Sequence, residues 1–170
     1  MKDEKRLVLI IRAITIFFML SLILSGITAF ALESEIKFLC KILDIPLLAP
    51  PEAYNGLKSW IVVVKEALIY NNNHYPFMAY GTDWLAFAHI IIAIAFIGFY
   101  REPVRNKWII YFGMIACAGI IPLAFICGPI RSIPFYWQLI DCSFGLLGFI
   151  PLYYLHRLVR QLEAMALNKE

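Results

Sequence analysis

Apolar residues crowd into four stretches, Leu7 to Leu32, Trp84 to Tyr100, Trp108 to Cys127 and Phe135 to Leu155, and polar residues collect between them. Crossing the hydrocarbon core of a bilayer takes about 20 helical residues, and each stretch reaches or nearly reaches that length. None alternates apolar with polar positions as a barrel strand does, so each is expected to cross as a helix with its backbone bonded internally. The second stretch is short and is expected to tilt little. The pattern predicts an all-α, polytopic membrane protein: a single membrane domain, 1–170, built as a four-helix bundle. Composition agrees, since 62% of the 170 residues are hydrophobic and 16% are charged. A soluble chain of this length could not hide that much apolar surface.

Between the first two spans, residues 33–82 have a different rhythm. Glu33, Lys37, Lys41 and Asp44 form one stripe, with Ile36, Leu39 and Leu43 beside it, which predicts that the first helix continues outward or bends onto the membrane surface. Pro46, Pro50 and Pro51 then end that helix, because proline lacks the N–H and clashes within a helix interior. A second amphipathic helix is expected at Leu57, Trp60, Ile61, Val64 and Leu68, with Lys58, Lys65 and Glu66 on its polar side and Asn71 to Asn73 stopping it. Two readings stand side by side: a helical cap over the outer ends of the bundle, or an amphipathic rim resting on lipid.

Charge sets the expected orientation. Lys2, Lys5 and Arg6 precede the first span, Arg101, Arg105 and Lys107 separate the second from the third, and Arg157, Arg160 and Lys169 follow the fourth. Short basic segments stay in the cytoplasm, so both termini are expected there, and the four lysines of the long loop count little. MKDEKR, an apolar core from Ala13 and Ala29-Phe30-Ala31 together resemble a cleaved secretory signal. Counted from Leu7, however, the apolar stretch is far longer than a signal core, and it is read as an uncleaved helix from which Arg12 snorkels to the headgroups. The net charge of +3 includes no basic patch interleaved with aromatics, which argues against nucleic acid.

A few polar residues inside the spans carry the candidate chemistry. Thr82 and Asp83 precede the second span as expected N-caps. His89 lies roughly 9 Å beyond them and shares a face with Ala86 and Ala93, small residues of the kind that let membrane helices approach closely. On the fourth span Gln138, Asp141, Gly145 and Gly148 share a face, with Arg131 in the turn above. A carboxylate inside a membrane is costly and usually paired or functional. The candidate site is therefore a pocket open to the outer side between spans two and four. His89, Arg131, Gln138 and Asp141 line it, and Tyr80, Trp84 and Trp137 stand at its mouth. The competing reading is a structural polar knot in which Arg131 or His89 satisfies Asp141, with the aromatics forming an interfacial belt.

Other chemistries find no support. His89 and His156 sit at opposite ends of the bundle and His74 in the loop, so no facing pair is positioned for haem. Cys40, Cys117, Cys127 and Cys142 stand singly and read as apolar filler. No internal repeat, Gly-rich phosphate loop, CxxC, HExxH or G-x-S-x-G occurs. No catalytic residue, metal or cofactor is assigned.

YPFMAYGTDWLAFAH, REPVRNKW and GPIRSIPFYWQLIDCSFG resemble a family of uncharacterised bacterial inner-membrane proteins with four spans, over roughly the C-terminal hundred residues. The resemblance implies a multi-pass protein of the bacterial inner membrane and supplies no activity. Two functions are expected: binding or transport of a small polar or lipid-like ligand at the outer pocket, or service as a structural, accessory subunit of a membrane complex. An enzyme using His89 and Asp141 for proton transfer is the least supported. The expected partners are the lipid bilayer, a lipid or small-molecule ligand, and a membrane-protein partner or further copies of the chain in a homo-oligomer.

Overall fold

A computed structural model describes residues 2–167. The order is α1 (Lys2–Phe30), α2 (Leu32–Ile42), a short 3-10 turn (Pro51–Ala53), α3 (Leu57–His74), a second 3-10 turn (Pro76–Ala79), α4 (Tyr80–Arg101), α5 (Trp108–Ile130) and α6 (Phe135–Leu167). The fold is all-α. Among the described residues four stretches are long and apolar enough to cross a membrane: Glu4–Phe30, Pro76–Arg101, Trp108–Ile130 and Phe135–Leu167. The chain divides into two compact units, one comprising Met1–Ser21 and Ile92–Glu170, the other Leu22–Ile91. Helices α1 and α4 each contribute to both.

The larger unit is built on an α5–α6 hairpin. Small residues bring the two helices together: a Cβ on Gly145 would stand 2.6 Å from the Cys117 carbonyl oxygen, and one on Gly113 would stand 2.8 Å from Leu152. These pairings run in opposite chain directions, so the helices are antiparallel. Phe18 and Phe96 meet with ring centroids 5.0 Å apart, and Ile11, Phe99, Ile110, Leu152 and Leu155 are fully buried. Pro122 and Pro129 lie inside α5 and Pro151 inside α6, as membrane helices tolerate. The Asn106 amide donates to the Gly98 carbonyl at 3.0 Å and tidies the end of α4. Lys107 reaches Glu163 at 2.7 Å and ties the start of α5 to the far part of α6. Hydrogen bonding to that carboxylate holds the Lys107 pKa above its ordinary value.

In the smaller unit α2 packs on α3, and Ile36 and Cys40 of α2 and Ile61 and Val62 of α3 are buried. The Glu33–Lys37 stripe appears as expected, as an i,i+4 ion pair. Three sequence expectations change here. Lys65 is buried rather than solvated, because its apolar stem packs inward and its ammonium donates to the Leu47 carbonyl at 2.6 Å. The three asparagines do not stop α3, which runs through them to His74, where the imidazole stacks on Tyr70 at 4.1 Å. Thr82 and Asp83 are not N-caps, since the 3-10 turn leads straight into α4 at Tyr80 and places both in its first turn. The Thr82 hydroxyl donates back to the Ala79 carbonyl at 2.7 Å.

Candidate functional site

The seven residues singled out in the sequence divide between the units. Tyr80, Trp84 and His89 belong to the smaller one; Arg131, Trp137, Gln138 and Asp141 belong to the larger. His89 is half-buried on α4, and its Nδ1 lies 2.8 Å from the Leu85 carbonyl one turn back. Its Cβ borders Gly26 of α1, where an added Cβ would come within 3.2 Å. Ala86 on the same face is fully buried, and its carbonyl oxygen would stand 2.8 Å from that added Cβ. The small-residue face of α4 thus meets a glycine on α1, and the imidazole sits at the edge of that close approach.

Gln138 is the most committed of the larger unit's four. It is buried, packs on Gly128, and donates from Nε2 to the Ile133 carbonyl at 2.8 Å. It therefore braces the turn between α5 and α6 from inside. Arg131 caps α5, its backbone N–H donating to the Cys127 and Gly128 carbonyls, and its side chain is exposed. Trp137 is half-buried one residue before Gln138. Asp141 is half-buried one turn further on, and among the described residues its carboxylate makes no ion pair or hydrogen bond. The Arg131–Asp141 bond, one of the two forms a polar knot could take, is therefore not formed. Among the described residues no three His, Cys, Asp or Glu side chains converge to hold a metal ion.

Tyr80 and Trp84 are exposed and belong to an aromatic ladder. Tyr80 meets Trp84 edge-on at 5.9 Å, and Trp84 meets Phe87 edge-on at 6.1 Å. With Phe30 and Asp83 they bound a shallow, largely apolar hollow of about 330 Å³.

Phe30 also borders a second, more enclosed cavity of about 300 Å³ at the break between α1 and α2. Its polar walls are Glu33, Ser34, Asn71, Asn72 and Thr82, set against Leu68 and Met78. Glu33 accepts from Lys37 and, at 2.5 Å, from the Asn72 amide. Those two donors, Lys37 first, hold its carboxyl below the usual carboxylate range. Sequence reasoning missed this site because it read the asparagine run as a helix stop. The available signal was amide-rich chemistry at the end of an amphipathic helix. Once α3 continues to His74, Asn71 and Asn72 are carried alongside Glu33.

Comparison with known proteins adds no relative: no protein-family model matches the chain, and no curated protein or solved structure is significantly similar to it.

Proposed function

We propose that this chain is a multi-pass protein of a bacterial inner membrane, with both termini in the cytoplasm, whose smaller unit binds a small polar or lipid-like ligand. The observation that carries this reading is the cavity of about 300 Å³ at the α1–α2 break, where a carboxylate, two amides and two hydroxyls face apolar walls. Pockets of this kind, mostly apolar with a few convergent polar groups, are the usual form of a small-molecule site. The Tyr80–Trp84–Phe87 ladder shares Phe30 with the cavity, which offers an apolar extension for a ligand with a hydrocarbon part. Orientation rests on the basic residues in the first turns of α1, around the α4–α5 link, and along the end of α6.

The test is a melting screen in detergent against polyols, amino acids and short-chain lipids. A compound that stabilises the parent protein should lose its effect in Asn72→Ala and Glu33→Gln and keep it in Arg157→Gln, outside the cavity. Equal stabilisation of all four proteins would sink the reading. The Glu33 substitution also has a pH signature. Because the folded carboxyl titrates below its ordinary value of 4.5, its contribution is fully present above that value and fades as pH falls through the lowered one. Without ligand, Glu33→Gln should therefore cost about 1 kcal/mol or less at pH 7, the pair being part-exposed. The gap to the parent should close as pH falls below the ordinary carboxylate range.

A further inference from the structure

The larger unit contains a cavity of its own, unrelated to the two in the smaller unit. It measures about 730 Å³ and runs along the amino-terminal part of α1, with Tyr100 of α4 as its far wall. Leu9, Ala13 and Ile16 form an apolar side, while Glu4, Lys5 and Arg12 supply charge. Arg12 sits inside the span, about 10 Å along the helix from Lys5. Its Nε donates to the Tyr100 carbonyl at 3.4 Å, and its guanidinium lies 5.3 Å over the Tyr100 ring. Among the described residues the two terminal guanidinium nitrogens make no bond, and neither does the Lys5 ammonium. A guanidinium fork held over a ring, its outer donors unengaged beside an apolar trough, matches a phosphodiester with a hydrocarbon chain attached.

We propose that this groove holds a membrane phospholipid of the leaflet nearest the amino terminus. The phosphate sits on Arg12 with Lys5 beside it, and one acyl chain lies along Leu9, Ala13 and Ile16. Glu4 at the mouth leaves the lining one positive charge in excess, so an anionic headgroup and a zwitterionic one carrying an amine both fit. A free phosphate has the same charge chemistry but uses none of the apolar wall. The proposal is independent of the outer cavity, with which the groove shares no residue.

Native mass spectrometry of the detergent-purified full chain provides the test, using phosphatidylglycerol, phosphatidylethanolamine and glycerol 3-phosphate as probes. Both phospholipids should bind at one saturable site, at least tenfold more tightly than glycerol 3-phosphate. Arg12→Gln should weaken phospholipid binding by about tenfold or more, the scale of a lost charged hydrogen bond. Ala13→Leu, which narrows an exposed part of the trough and leaves Arg12 in place, should weaken phospholipid but not glycerol 3-phosphate. Arg12→Lys, which keeps charge but not the fork, should fall between parent and Arg12→Gln, and it serves as the charge test if Arg12→Gln fails to fold. Glycerol 3-phosphate binding as tightly as phospholipid would make this a site for soluble phosphate and overturn the proposal. Unchanged phospholipid binding in the Arg12 variants and Ala13→Leu would reduce the bound lipid to annular lipid and overturn it equally.

Discussion

Lys65 lies on the packed face of α3, 1% exposed. In the sequence it belongs to the polar side of the helix, at the edge where a long apolar stem can turn inward. Removing the whole side chain should leave a void and an unsatisfied Leu47 carbonyl, so Lys65→Ala should cost about 2–4 kcal/mol in detergent melting. Lys65→Met keeps the stem and sheds the buried charge, and it should cost less than half as much. Both variants should open the 45–51 segment to proteolysis, because the bond to the Leu47 carbonyl is gone in each. Asp141 presents the opposite case. The sequence marks it as a costly carboxylate within a span, yet among the described residues no bond holds it. Asp141→Asn should therefore leave melting unchanged or raise it, whereas a knot would lose several kcal/mol when broken. A large loss would show that the carboxylate is paired. That Gln138 faces inward was legible from its stripe with Gly145 and Gly148. That it bonds the Ile133 carbonyl was not, because the bond depends on how the turn before α6 folds back.

At the scale of the elements, helix existence was written in the apolar runs and helix limits were not. The fourth run suggests an end at Leu155, but α6 continues to Leu167. Its added turns bury Leu158, Val159 and Leu162, and packing rather than hydropathy sustains them. The α5–α6 pairing depends on glycine at the crossing. A Cβ on Gly145 would press on a backbone oxygen, which cannot swing aside, while one on Gly119 meets nothing within 4 Å. Gly145→Ala should thus destabilise by about 1–3 kcal/mol. Gly119→Ala should be neutral or slightly stabilising, since alanine is the better helix former. Thermal melting of the two variants in one detergent makes the comparison, and equal behaviour would mean that the helices part at Gly145.

For the whole molecule, orientation is the property most exposed to direct test. Arg105 lies in the link between α4 and α5, its side chain 82% exposed. In a background without the four native cysteines, Arg105→Cys should react with an impermeant maleimide only after the cells are opened. Glu52→Cys, in the short 3-10 turn between α2 and α3, should react in intact cells if the proposed orientation holds. Labelling of Arg105→Cys in intact cells would invert the topology and with it the side on which the α1–α2 cavity opens.

Number of spans, helical class and the amphipathic character of residues 33–82 were decided by the sequence alone. Lipid forbids unbonded backbone, and the periodicity of apolar residues leaves no other regular structure. The tertiary structure decided which polar side chains meet. Within the larger unit Arg131 and Asp141 look like partners because one stands a few residues before the other in sequence, but nearness along the chain does not determine which neighbour a side chain finds. Asn72 and Glu33 are far apart in sequence and meet only because α3 runs past its expected stop and packs on α2. Hydropathy records where the chain enters and leaves the bilayer; pairwise convergence of polar groups depends on packing between helices, which no single helix encodes.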